Sequence, residues 1–293
     1  MSEPVKTIHT TEWEAILSED DAAENTRALE HGQLLHLPRL AFSLSADERR
    51  FLSPRWSDGK AKNVSYSPVT RQIRHTSAEG GDRDALASMI GRYAEAARTL
   101  VTSVCPAYSR DLAWGLTSFR PVSAANRESS PKKDDMRLHV DAFASCPVRG
   151  RRLLRVFSNI NPAGEPRVWE IGEPFDNMAA RFCQQVAAPW PGSAWLLEKL
   201  HVTKGRRSAY DHIMLGLHDG AKLDTDYQKI APRTRLELAA NTTWIVFTDL
   251  VMHAVLSGQY LLEQTFYLPP AAMQDEAMAP LRRLEKIYQR ALL

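Results

Sequence analysis

The 293-residue sequence holds only three cysteines, Cys105, Cys146 and Cys183, and their spacing matches no metal-binding motif. This excludes a disulfide framework and a cysteine-based zinc site, and it fits a reducing compartment. No uninterrupted apolar run approaches the roughly 20 residues of a membrane-spanning helix. The start, Met1-Ser2-Glu3-Pro4, lacks the basic stretch and apolar core of a secretory leader. A cytoplasmic location is therefore expected. A strong charge of either sign is missing too. Thirty-seven Lys and Arg against thirty-five Asp and Glu leave +2, which removes the global case for nucleic-acid binding. Repeats and low-complexity segments are lacking as well.

What is present reads as an ordinary globular chain, with 44% hydrophobic and 25% charged residues. Its length allows a substantial core. Thr11 to Leu17 reads as a short helix or strand edge, Leu34 to Leu37 as a strand, and Ser57 to Gly81 as short strands or a hairpin. Leu86, Met89, Ile90, Tyr93, Ala97, Leu100 and Val104 follow helical spacing in a helix that Asp84 opens and Pro106 closes. Strand patterns then dominate: Trp114 to Val122, Met136 to Val140, Leu153 to Ile160, Arg167 to Ile171, Trp244 to Leu256 and Tyr260 to Leu268. Asp176 to Ala187 and Ser193 to Leu200 look helical. Asp211 to Lys229 predicts an inserted helix or lid, and Pro280 to Leu293 an amphipathic helix.

The expected fold is mainly β with helices: a double-stranded β-helix, or jelly roll, buttressed by α-helices. Residues 1–110 would form a helical and strand part packing on the core. Residues 111–270 would form the jelly-roll catalytic core, with 176–235 inserted, and 271–293 a terminal helix. All would belong to one integrated domain.

Within the β-rich half, Leu138-His139-Val140-Asp141-Ala142-Phe143 is answered 114 positions after His139 by His253. His-x-Asp joined by a distant histidine is the donor set of the non-haem iron(II) oxygenases. Two neutral imidazoles and one carboxylate hold the metal on one face. The open positions can take a 2-oxo acid and dioxygen. Extended backbone points residues 139 and 141 the same way. The other histidines lie in polar or charged stretches and compete weakly.

An oxygenase of this type needs a cation for the distal carboxylate of 2-oxoglutarate, and arginine suits it through its bidentate fork. In many such enzymes the cation lies about ten residues beyond the second histidine, but Glu263 and Gln264 stand there. The run Arg152-Leu153-Leu154-Arg155-Val156-Phe157-Ser158-Asn159 instead resembles the prolyl-hydroxylase-like strand of Arg, Thr and Tyr-Leu-Asn. Arg155 is the first choice by strand parity and Arg152 the second. Asn159 falls at that pattern's carboxylate-binding tyrosine, and Gln264 is a further hydrogen-bond donor.

These blocks resemble the bacterial Kdo 3-hydroxylases, together with Arg167-Val168-Trp169-Glu170-Ile171-Gly172-Glu173-Pro174-Phe175, Tyr210 to Leu215, His218-Asp219 and Gln259 to Phe266. Members of that family are Fe(II)/2-oxoglutarate dioxygenases that act on 3-deoxy-D-manno-oct-2-ulosonic acid (Kdo) in the lipopolysaccharide inner core. The resemblance spans about residues 138–266. It implies Fe(II), 2-oxoglutarate and O2, a substrate of the Kdo-lipid A type, and oxidation at carbon 3 of Kdo. It also gives a reason for the basic clusters Arg149 to Arg155 and Lys204, Arg206 and Arg207: they would meet an anionic substrate or the inner face of the inner membrane. His212 and His218 would reach substrate. Glu170 and Glu173 are expected to be surface or structural residues. Two other readings stay open: the same chemistry on another small molecule or a protein side chain, and a non-catalytic cupin-like metal-binding protein.

Overall fold

A computed structural model describes residues 3–123 and 130–293. Met1 and Ser2, the start of the stretch read above for a leader, lie outside them. Eleven strands and seven α-helices are present among the described residues. The strands are β1 (Val5–Thr7), β2 (Leu34–Leu37), β3 (Val64–Ser67), β4 (Gln72–Arg74), β5 (Ala113–Arg120) and β6 (Arg152–Asn159). They continue with β7 (Arg167–Ile171), β8 (Thr234–Leu238), β9 (Thr243–Phe247), β10 (His253–Ser257) and β11 (Leu261–Leu268). The helices are α1 (Glu19–Glu30), α2 (Gly80–Val104), α3 (Phe175–Phe182), α4 (Ser193–Lys199), α5 (Ala209–Leu223), α6 (Thr225–Ile230) and α7 (Pro280–Tyr288).

Eight strands form the major sheet in the order β1-β2-β9-β6-β11-β5-β3-β4, and three form the minor sheet, β10-β7-β8. The part before residue 110 thus supplies four strands of the major sheet. Phe157, Trp244, Val246 and Leu261 of the major sheet pack against Trp169, Ile171, Leu238 and Val255 of the minor one. This sandwich core is the inside of the expected jelly roll. The other face of the major sheet is covered by helix. Leu154, Val156, Ile245 and Phe266 meet Ala97, Leu100, Val101 and Val104 of α2. Tyr93, fully buried, donates to the Val156 carbonyl at 3.0 Å and fixes that helix on the sheet.

Three sequence expectations are corrected. Met136 to Val140 is not a strand. It is a loop joined to β10 by one bridge, in which the His139 and His253 amides donate to each other's carbonyls at 3.0 and 2.9 Å. Trp244 to Leu256 is not continuous either. A turn at 248–252 separates β9 from β10 and carries the chain from one sheet to the other. The turn is closed by Leu250 and Val251 amides on the Phe247 carbonyl. Thr11 to Leu17 holds no regular element.

The inserted segment braces the site rather than standing apart as a lid. Gln228 of α6 holds both backbone groups of Leu138, accepting from its amide at 2.9 Å and donating to its carbonyl at 3.0 Å. Arg137 donates to the Lys222 carbonyl at 2.8 Å. At the other end, Ser208 and Asp211 form a capping box on α5. The free Asp211 oxygen accepts from the Val148 and Arg149 amides just before β6.

Candidate metal centre

His139, Asp141 and His253 converge, with ligand atoms all within 4.8 Å of one another. His139 Nε2 lies 3.7 Å from Asp141 Oδ1. The Asp141 amide donates to the Thr248 carbonyl at 2.8 Å, so the loop that carries two ligands is stitched to both ends of the 248–252 turn.

Each histidine is oriented by a carbonyl two residues before it. His139 Nδ1 meets the Arg137 carbonyl at 2.7 Å, and His253 Nδ1 meets the Val251 carbonyl at 2.9 Å. A carbonyl can only accept, so Nδ1 carries the proton in both rings and Nε2 keeps its lone pair for a metal. Trp169 stacks on His253 at 5.1 Å with 19° between planes. Burial pulls the pKa of both imidazoles below the ordinary value, His139 strongly, which favours the neutral ligand form. For Asp141, burial pushes upward, yet the positive charge of Arg155 beside it more than offsets this and holds the carboxyl below its usual range. Two neutral nitrogens, one ionised oxygen and an open side match a divalent iron site.

The triad lies in a cavity of about 370 Å³ between the two sheets. Strand parity decides which residues reach it. Arg155 and Phe157 of β6, Ser118 and Arg120 of β5, and Glu263 and Thr265 of β11 all line it. Arg155 is buried and bridges two carboxylates, 3.1 Å from Asp141 Oδ2 and 2.8 Å from Glu263 Oε1. Glu263 also pairs with Arg120. Burial pushes the Glu263 pKa up, but the two guanidinium groups bring it below its ordinary value. Among the described residues, four cations, Lys62, Arg120, Arg155 and Arg167, face three carboxylates, Asp135, Asp141 and Glu263. A divalent metal would raise that positive excess, which suits anionic ligands.

Several predicted site residues lie elsewhere. Arg152 points to the helix-covered face, where it is fully buried and donates to Asp249 at 2.7 and 3.3 Å over the Phe247 ring. Gln264 shares that far face and accepts from Thr117 at 2.5 Å. Asn159 has the inward parity but donates to the Glu165 and Leu238 carbonyls, closing the end of β6 onto the strands opposite. None of the three lines the cavity. His218 stands behind the site: its ring meets His139 edge-on at 5.4 Å, and its Nδ1 bonds Asp219. His212 bonds the Ala187 carbonyl away from the cavity. Lys204, Arg206 and Arg207 lie on a loop beside the rim. The Lys204 amide and the Arg207 guanidinium donate to the Ser145 and Ala144 carbonyls, and Ser145 lines the cavity. Glu170 pairs with Arg233, as a structural residue would. Sequence reasoning missed Lys62, Arg120 and Asp135, whose ion pairs join segments far apart, and it passed over Glu263 because it sought a cation there.

A two-histidine, one-carboxylate centre inside a double-stranded β-helix defines the class of non-haem iron oxygenases. A family model for 3-deoxy-D-manno-oct-2-ulosonic acid (Kdo) hydroxylases matches residues 12–291, and the chain belongs to that family. It is similar to the Kdo hydroxylase KdoO, a non-haem Fe(II) and α-ketoglutarate-dependent dioxygenase solved with α-ketoglutarate and Fe(III). Identity is 43% over 99% of this chain and 98% of that one, with a TM-score of 0.96. The cobalt(II) complex of KdoO superposes with a TM-score of 0.97 at 43% identity, over 99% and 97% of the two chains. Its complex with succinate and Fe(III) gives 0.95 at the same identity and coverage. No curated protein matches the sequence.

Proposed function

We infer that this protein is an Fe(II)- and 2-oxoglutarate-dependent dioxygenase that hydroxylates carbon 3 of Kdo in a Kdo-lipid A type acceptor. The observation that carries the reading is the convergence of His139, Asp141 and His253 with Arg155 in one positively charged cavity. When bound, iron, O2 and 2-oxoglutarate supply the oxidation that replaces a C–H bond by C–OH, the cosubstrate leaving as succinate and carbon dioxide.

The chain's own part is to hold and orient. His139 and His253 present Nε2 because their Nδ1 protons are committed to carbonyls. Arg155 anchors the distal carboxylate of 2-oxoglutarate. Its Nε is a buried donor without a hydrogen-bond partner among the described residues, and a ligand carboxylate would satisfy it. Lys62, Arg120 and Arg167 supply charge for the acid group of the sugar. Phe143, Phe157 and Trp169 give the cavity apolar walls that limit water beside the reacting carbon.

The test is mass spectrometry of Kdo-lipid A incubated with protein, iron(II), ascorbate and 2-oxoglutarate. Gain of one oxygen atom on Kdo, dependent on the cosubstrate, is expected. Succinate without that gain would point to another acceptor, and no succinate at all to a non-catalytic metal protein. Arg155→Ala should raise the 2-oxoglutarate requirement by roughly ten- to a hundredfold, as expected for loss of a charged hydrogen-bond partner.

A further inference from the structure

Helices in this protein generally bury an apolar face; α4 buries none of its seven residues. So short a helix has little stability in water on its own. Its large apolar side chains point outward, Trp195 at 53% and Leu196 at 49% exposure, and the flanking chain adds Trp190 at 85%, Leu200 at 63% and Val202 at 54%. Isolated exposed apolar residues are ordinary, but five in thirteen positions, two of them tryptophan, form a patch that calls for a partner. Exposed cations sit among them: Lys199, Lys204 and Arg206, with Arg207 close by and Glu198 the sole acid between 186 and 208.

We propose that residues 190–207 form a docking surface for an anionic lipid bilayer. Trp190, Trp195 and Leu200 would enter the headgroup level, and Lys199, Lys204 and Arg206 would meet lipid phosphates. Tryptophan favours that level because its ring is apolar while its N–H stays solvated. Apolar insertion plus cations is the chemistry of interfacial helices. A second copy of this chain fits less well, since like charges would face each other around the apolar patch. The patch also adjoins the cavity mouth: the Lys204 amide and the Arg207 guanidinium are bonded to residues 145 and 144, beside cavity-lining Ser145 and Cys146. A bilayer seated on α4 therefore presents lipid headgroups at the entrance. The proposal rests on the reading of the substrate as lipid-linked.

The experiment is flotation of the full-length protein with vesicles of phosphatidylcholine, alone or mixed with phosphatidylglycerol. Binding is expected only to the mixed vesicles, weakening as salt rises, with a blue shift of tryptophan emission and quenching by brominated acyl chains. Trp190→Ser/Trp195→Ser/Leu200→Ser should weaken binding at least about tenfold. It should keep wild-type turnover on a water-soluble Kdo glycoside while losing turnover on vesicle-embedded substrate. If the triple variant misfolds by circular dichroism, Trp190→Ser alone serves, with emission quenching as the readout. Wild-type protein that ignores anionic vesicles overturns the proposal. So does a folded variant that binds them as the wild type does, or a patch whose substitution only disperses a dimer. Vesicle binding without turnover on either substrate would strike the substrate reading and leave the docking surface standing.

Discussion

Replacing Arg155 by alanine removes a cation shared by the metal-ligand carboxylate and Glu263. The distances are 3.1 Å to Asp141 and 2.8 Å to Glu263. At an effective dielectric constant near 20 each contact is worth about 5–6 kcal/mol of Coulomb energy. Most of it is offset by the several kcal/mol needed to dehydrate each buried ion. What the substitution exposes is the cost of leaving carboxylates buried and uncompensated, about 3–5 kcal/mol. Glu263 keeps Arg120, so Asp141 carries most of the loss and the lower figure is expected. The pH dependence follows from the direction of the shifts. Asp141 and Glu263 titrate below their ordinary values. Their pairing therefore stabilises the fold fully above the unfolded carboxylate pKa of about 4, and this is lost as pH falls through the folded values. In the variant those carboxyls titrate higher. The deficit relative to wild type should be full at pH 7 and shrink below about pH 5. Urea unfolding of both proteins with chelator present, between pH 7 and pH 4, measures it. A loss under about 1 kcal/mol at pH 7, or one that does not change with pH, would refute the argument. Cobalt(II) at a hundred times its dissociation constant should restore about 2.7 kcal/mol by mass action.

His139→Ala, Asp141→Ala and His253→Ala should each abolish metal uptake and turnover while leaving circular dichroism unchanged, because an open site is not a structural cage; calorimetric titration with cobalt(II) checks this. Burial keeps His139 and His253 neutral in the folded chain, whereas unfolded histidine protonates near pH 6.5, so the metal-free protein should lose stability as pH falls below that value. The slope should reach up to about 1.4 kcal/mol per pH unit per histidine and flatten in a His139→Gln variant. Trp169→Ala should cost about 3–5 kcal/mol by denaturant unfolding, because the side chain is buried among Phe157 and Trp244. The same change should weaken cobalt(II) affinity by releasing the His253 ring.

The metal triad was legible because its spacing survives without regular structure: the 139–141 loop is extended enough for alternation to hold, although only one bridge is formed. Arg155 was legible by the parity of β6. The same parity rule excludes Arg152, whose alternative role with Asp249 no local pattern announces. Gln264 shows where the pattern loses its information. Nearly every residue of β6 and β11 is buried on both faces, so polar and apolar residues do not alternate, and nothing local says which side is inward. Lys62, Arg120 and Asp135 were invisible for another reason. Lys62 pairs with Asp135 at 2.9 Å and Arg120 with Glu263, contacts that exist only once the sheets close. Ser193 to Leu200 read as an ordinary short helix, and nothing local announced that Trp195, or Trp190 just before it, would stay exposed in the fold.

The strand order also sets a timetable for synthesis. All eight residues of β6 are buried, and both of its neighbours, β9 and β11, come from the last fifth of the chain. At roughly 5–20 residues per second, the ribosome delivers β6 several seconds before β9 exists to pair with it. Through that interval a strand built for burial, with two open edges, has only itself or another nascent chain to pair with. Iron cannot shorten the wait, since His253 emerges later still. Soluble yield should therefore depend on how slowly the chain is made and on what shields β6 meanwhile, more than on the stability of the finished protein.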